Sequence, residues 1–292
     1  MKKRIIVPID YSEVSKEVVK FADDYAQKTN ANLYFLHIEP HHMLELEGDQ
    51  SSLLNHFDHY LKQFKIVSNY QISVEFGVPY LEIVELSKTL NPELIIMAAH
   101  SHTLLGRLFL GSNTDYVIHH CGGPVYVYRK PLPELENKII VPIDYTEVNK
   151  NVIELADIWA QETGAELYFI HTDPVPESLG DRSVLENAYR QGKLELNANE
   201  MLVRKREGDI AALQKGFELY LDELELKSAF HRVFEIGKPY LEIQALQQRT
   251  KARLIMMAAH SHTLLNRLFV GSNTDYLMHH LDCPLFIYKE NA

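Results

Sequence analysis

The chain is poor in cysteine, in basic residues and in long apolar runs. Its 292 residues include only Cys121 and Cys283, too few for a disulfide framework or a thiolate metal site, so both are expected to stay reduced. Lys and Arg total 29 against 40 Asp and Glu, a net charge of −11 that argues against non-specific binding to DNA, RNA or an anionic membrane. No stretch approaches the roughly 18 to 20 apolar residues that cross a bilayer. The opening Met1-Lys2-Lys3-Arg4-Ile5-Ile6-Val7-Pro8-Ile9-Asp10 reaches a carboxylate too soon for a secretory leader, and the cytoplasm is the expected location. Catalytic signatures are missing as well: there is no Gly-Lys-Ser/Thr loop, no Gly-x-Ser-x-Gly elbow and no His-Glu-x-x-His. Binding is therefore the stronger expectation, and no enzyme is expected.

Apolar residues make up 46% and charged residues 24%, the balance of an ordinary globular protein. At roughly 100 to 200 residues per domain, the length suggests two domains. An internal repeat supports this. Ile5-Ile6-Val7-Pro8-Ile9-Asp10-Tyr11 returns at Ile139 to Tyr145, an offset of 134, and Pro79 to Ile83 returns at Pro239 to Ile243, an offset of 160. Between Met97 and Tyr116, 18 of 20 positions recur at Met257 to Tyr276. The second copy thus carries 26 extra residues, placed within Val175 to Arg206. That insertion, with five acidic and six basic residues and a helical stretch near Val184 to Val203, reads as a surface hairpin or as a lid over a crevice. The seam Lys130 to Asn137, with Pro131 and Pro133, reads as a linker. The expected domains are 1–133 and 134–292.

Within the first copy, Ile5–Ile9 and Leu33–Ile38 have the length of buried strands, and Glu13–Lys28 between them has helical spacing behind Ser12, a good N-cap matched by Thr146. The same reading predicts helices over Leu53–Phe64, Tyr80–Leu90 and Ser112–His120, and strands over Tyr70–Phe76, Leu94–Ala98 and Val125–Tyr128. Five strands alternating with four helices imply an α/β fold, a parallel sheet with helices on both faces. In such sheets ligands bind beyond the carboxyl ends of the strands, where strand order reverses. Asp10 and Ala98 to Ser101 fall at such ends. Gly111-Ser112 opens a helix whose unpaired N–H groups suit an anion.

On these residues the chain resembles the universal stress protein family in its tandem form, over nearly its whole length. The marks are Pro8-Ile9-Asp10, Met97-Ala98-Ala99-His100-Ser101, Arg107, Gly111-Ser112 and Pro124-Val125, with Pro142, Asp144, Met257 to Ser261, Arg267, Gly271-Ser272 and Pro284 in the second copy. The resemblance implies two Rossmann-like (adenine nucleotide alpha hydrolase-like) domains packed as an internal pseudo-dimer, with a homodimer as a further state. It also implies a stress-linked binding or regulatory role. The ligand implied is ATP or another adenine nucleotide, held in copy one by Pro8, Asp10, Ala98, His100, Ser101, Arg107, Gly111 and Ser112. In copy two the corresponding residues are Pro142, Asp144, Ala258, His260, Ser261, Arg267, Gly271 and Ser272.

The family's nucleotide-binding pattern is Gly, two residues, Gly, nine residues, then Gly-Ser or Gly-Thr. Here Ala98 and Ser101, and again Ala258 and Ser261, replace the first two glycines. The added methyl and hydroxymethyl are expected to crowd the phosphates and to make glycine-only backbone angles costly. A ligand-free interaction module and a slow ATP hydrolase are therefore the alternatives.

Other residues have plainer readings. Asp10 and Asp144 suit helix capping as well as ligand binding. His100, His102, His260 and His262 form His-x-His pairs, but no cysteine or clear carboxylate completes a set of four, and no metal is expected. His119-His120 and His279-His280 complement the carboxyl end of a helix. Tyr34, Phe35, Tyr80, Tyr168 and Tyr240 read as core or its edge.

Overall fold

The computed structural model describes residues 3–41, 50–99, 111–173, 196–259 and 271–289. Contacts divide the chain into two compact units, Met1–Glu136 with Lys251–Ala292, and Asn137–Thr250.

In the first unit, β1 (Arg4–Pro8), α1 (Glu13–Thr29), β2 (Asn32–Glu39), α2 (Gln50–Leu61), β3 (Tyr70–Phe76), α3 (Pro79–Leu90), β4 (Leu94–Ala98), α4 (Ser112–His120) and β5 (Val125–Tyr128) follow in order. The strands pair in the order β3-β2-β1-β4-β5, all parallel. Chain order reverses between β1 and β4, which makes their carboxyl ends the switch point. Each strand is short and apolar because both faces are covered: Ile5, Ile6 and Val7 are wholly buried, and every residue of β4 is buried. Helix α1 packs Val18, Val19, Ala22 and Ala26 inward at helical spacing. It starts where Ser12 Oγ accepts the Ser15 N–H and stops at Asn30, in the left-handed conformation with φ 51°.

Most predicted bounds hold to within a residue, but α2 sits three residues earlier than Leu53–Phe64. Gln63 and Phe64 donate to carbonyls three residues back, Tyr60 and Leu61, so the backbone tightens out of α geometry while the apolar spacing continues. β5 is interior to its sheet. Its far side pairs antiparallel with β10 (Leu285–Tyr288), with Val125, Tyr126 and Val127 opposite Ile287, Phe286 and Leu285, so the closing strands of the two repeats join.

Two buried cations frame that junction, both inside the first unit. Arg129, directly after β5, is 4% exposed and donates to the Met278 carbonyl in the last turn of α8 (Ser272–His280) and to the Cys283 carbonyl beyond it. Lys289, directly after β10, is 6% exposed and donates to Ile118 and Cys121 at the end of α4, at 2.8 and 3.0 Å. Each repeat thus caps the helix of the other, a task for which the negative helix terminus suits a cation. Cys121 and Cys283 are free and buried, and burial pushes their thiols up to about 11 and about 12. The strand β9 (Ala252–Ala258) pairs parallel with β10 in the same unit.

In the second unit, β6 (Glu136–Pro142), α5 (Glu147–Thr163), β7 (Glu166–Asp173), α6 (Leu196–Asp222), β8 (Phe230–Ile236) and α7 (Pro239–Thr250) repeat the first half of this plan. β6, β7 and β8 pair parallel in that order. Of the insertion, residues 175–195 lie outside the described residues, and the rest runs into the single helix α6.

Candidate functional site

The switch point assembles five of the expected residues at one end of the first sheet. Ile5 and Ile6 stand opposite Leu94 and Ile95, which sets Pro8 and Asp10 beside the end of β4 at Ala98. The first turn of α4 is tied there, because the Thr114 hydroxyl donates to the Ala98 carbonyl at 3.1 Å and is itself buried. Gly111 is the N-cap of α4 and brings no capping side chain, so Gly111 and Ser112 present a helix N-terminus at that end of the sheet.

Asp10 is fixed by its own loop. One carboxylate oxygen accepts the Ser12 N–H at 3.1 Å and the Ser15 hydroxyl, and Ser12 in turn caps α1. Capping support and a place at the carboxyl end of the sheet are therefore compatible. In the second unit Asp144 likewise accepts the Thr146 N–H at 3.1 Å and its hydroxyl at 2.8 Å, next to Pro142 at the end of β6. Ala258, Gly271 and Ser272 belong to the first unit, where Gly271 caps α8 without a side-chain bond. His100, Ser101, Arg107, His260, Ser261 and Arg267 lie outside the described residues, as do His102 and His262.

One sequence expectation is corrected at this point. Ala98 and Ala258 both sit in extended strand and are 7% and 6% exposed, so neither occupies a backbone region reserved for glycine. The strain foreseen there does not arise, because strand geometry ends only after these residues.

Sequence reasoning missed the aromatic group behind Asp10. Tyr11 has φ 61°, a left-handed conformation costly for a side chain by about 1 kcal/mol. This turn packs its ring against His37 at 4.3 Å and Tyr60 at 4.9 Å between centroids. His37 Nδ1 donates to the Ile9 carbonyl at 2.7 Å, while Nε2 lies 2.9 Å from Glu39. Burial, then Glu39 and Tyr60, pushes the Tyr11 phenol up to about 12. Tyr60 rises to about 12 through burial and then the charges of Asp10 and Glu13, and its buried hydroxyl has no hydrogen-bond partner among the described residues. The second unit repeats the group: Tyr145 at φ 63°, 4.5 Å from His171 and 5.0 Å from Tyr220, with His171 Nδ1 2.7 Å from the Ile143 carbonyl. The signal was present, since His37 and Tyr60 recur as His171 and Tyr220 at the two repeat offsets.

A parallel sheet with a strand-order reversal, a carboxylate-bearing turn after β1 and an uncapped helix after β4 define a Rossmann-like α/β protein. The chain belongs to the universal stress protein family, whose family model matches residues 1–129 and again 136–289. A universal stress protein of Methanocaldococcus jannaschii is 33% identical over 144 residues, spanning 45% of this chain and 85% of that protein. Universal stress protein A homolog 1 of Coxiella burnetii is 28% identical over 130 residues, 40% of this chain and 89% of its own. A crystal structure of a universal stress protein from Archaeoglobus fulgidus superposes with a TM-score of 0.65 at 19% identity, covering 99% and 98% of the two chains. A functionally unknown protein from Pseudomonas aeruginosa PAO1 does so with 0.65 at 17%, covering 99% and 93%. At these identities the two structures speak to the fold. Among the described residues no helix is long and apolar enough to cross a membrane.

Proposed function

We propose that this protein is a stress-linked binding and regulatory protein, not an enzyme, and that it takes an adenine nucleotide such as ATP at the β1/β4 switch point. The observation that carries the reading is the placement of Asp10, just past the end of β1, at the same end of the sheet as the Gly111 N-terminus of α4, which Thr114 ties to the end of β4. A carboxylate accepts from ribose hydroxyls or an adenine amine, and helix N–H groups receive phosphate oxygens. The extended geometry of Ala98 removes one objection raised by the missing glycines. Asp10 already accepts from Ser12 and Ser15, which suits a positioning group better than a mobile general base.

Mass spectrometry of ligand released from the purified chain, then calorimetry with magnesium and ATP, tests the proposal. Bound nucleotide is expected, with Asp10→Ala weakening ATP by about tenfold or more, the value of a lost charge-assisted hydrogen bond. Neither ligand nor heat would leave the interaction module as the better reading. Steady conversion of ATP to ADP would instead make it a hydrolase.

A further inference from the structure

Helices α4 and α8 carry the same pattern, Asp115-Tyr116 followed by His119-His120 and Asp275-Tyr276 followed by His279-His280. Four-residue spacing sets each aspartate and the first histidine of its pair one turn apart on one face. The second histidines are engaged within their own helices: His120 stacks on Tyr116 at 3.7 Å and His280 on Tyr276 at 3.8 Å. The first histidines converge with the aspartates of both helices, all within the first unit. His279 Nε2 lies 3.8 Å from Asp115 Oδ1 and 4.0 Å from Asp275 Oδ1, and His119 Nδ1 lies 3.7 Å from Asp115 Oδ1. Ligand atoms of Asp115, His119 and Asp275 all fall within 4.8 Å of one another.

We propose that Asp115, His119, Asp275 and His279 form a binding site for a divalent transition-metal ion, zinc in the first instance. Two imidazoles and two carboxylates are a complete tetrahedral donor set, and the imidazoles favour zinc over calcium or magnesium, which prefer oxygen. His119 Nδ1 lies 2.8 Å from the Asp115 carbonyl, which can only accept, so Nδ1 carries the proton in this arrangement and the ring must turn to bring a lone pair to the ion. Tetrahedral zinc needs ligand atoms about 3.3 to 3.5 Å apart, given bonds near 2.0 to 2.2 Å, so Asp115, His119 and Asp275 must close by more than about an ångström and His279 must turn toward them. The side chains are 25% to 54% exposed, which leaves them room to rotate. Two carboxylates from separate helices repel where they meet, and a dication between them offsets that repulsion more fully than one bridging imidazolium does. The ion would join one helix of each repeat.

Calorimetry of the metal-free full chain with zinc chloride tests the site. One equivalent is expected to bind with micromolar or tighter affinity and to raise the melting temperature. The double variant D115N/D275N, which keeps side-chain shape, should lose at least about 100-fold in that affinity, more than the loss of an outer partner alone would cause. A variant with His100, His102, His260 and His262 all changed to Gln should keep it. Cobalt in place of zinc should give the strong visible absorption of a tetrahedral ion in the native chain and not in D115N/D275N. No zinc uptake below millimolar, uptake unchanged in D115N/D275N, or uptake abolished by the four Gln substitutions would each overturn the assignment.

Discussion

Asp23 shows how a single carboxylate organises a loop. It is 8% exposed and accepts the Val67 and Ser68 N–H groups at 3.1 and 2.9 Å, anchoring the segment that leads into β3. Burial pushes its pKa up, but hydrogen bonds from Ser68, Val67 and Gln27 outweigh burial and hold it below the usual 3.8. Asp157 does the same in the second unit, with the Lys227 and Ser228 N–H groups at 3.1 and 2.8 Å and a lowered pKa. A depressed carboxyl stabilises the fold above the unfolded pKa of about 3.9, and that contribution fades as pH falls through the folded value. Asp23→Ala is expected to cost about 2 kcal/mol near neutral pH, since two amides lose their acceptor. Asp23→Asn should flatten the acid limb of a urea-midpoint against pH profile; an unaltered limb would show that the carboxylate charge does not matter there.

At the scale of elements, the reciprocal caps at Arg129 and Lys289 explain how two short strands hold their pairing. Arg129→Met leaves the Met278 and Cys283 carbonyls without their donor, an expected loss of about 2 kcal/mol, moderated because a desolvated charge also disappears. Burial lowers the Lys289 pKa, so the folded chain releases that proton before the unfolded one does. Its contribution therefore grows as pH rises from the folded pKa toward 10.5, and Lys289→Met should remove that slope from chemical denaturation measured across alkaline pH. These caps were not legible in the chain, because Arg129 and Lys289 meet helices nearly 150 or more residues away in sequence. The strands and helices themselves were legible, as apolar runs such as Leu94–Ala98 and caps such as Ser12 act locally. The cluster at Asp115 was half legible: one turn of α4 shows the Asp and His, but the completing pair comes from α8. Tyr11 was hidden for another reason, since nothing in an Asp-Tyr-Ser sequence announces a left-handed tyrosine.

For the whole molecule, the repeat was the most informative feature of the sequence, because two copies of an α/β plan leave two closing strands that need cover. Val127 of β5 stands opposite Leu285 of β10, and both are wholly buried. A carboxylate at Val127 would be cut off from water, and the nearby Arg129 is already committed to the Met278 and Cys283 carbonyls, so Val127→Asp is expected to cost about 4 kcal/mol or more. Against a total stability of about 5 to 15 kcal/mol, that is enough to open the pairing in a substantial share of molecules. Opened strands present unpaired N–H and C=O groups that template association with another chain. Val127→Asp should therefore lower the urea midpoint and shift the sedimentation profile toward larger species as concentration rises. Leu132→Asp, at a side chain 41% exposed, should do neither. If both variants behave alike, the β5–β10 pair is not what keeps the repeats joined, and the burial at Arg129 and Lys289 must be carrying that task instead.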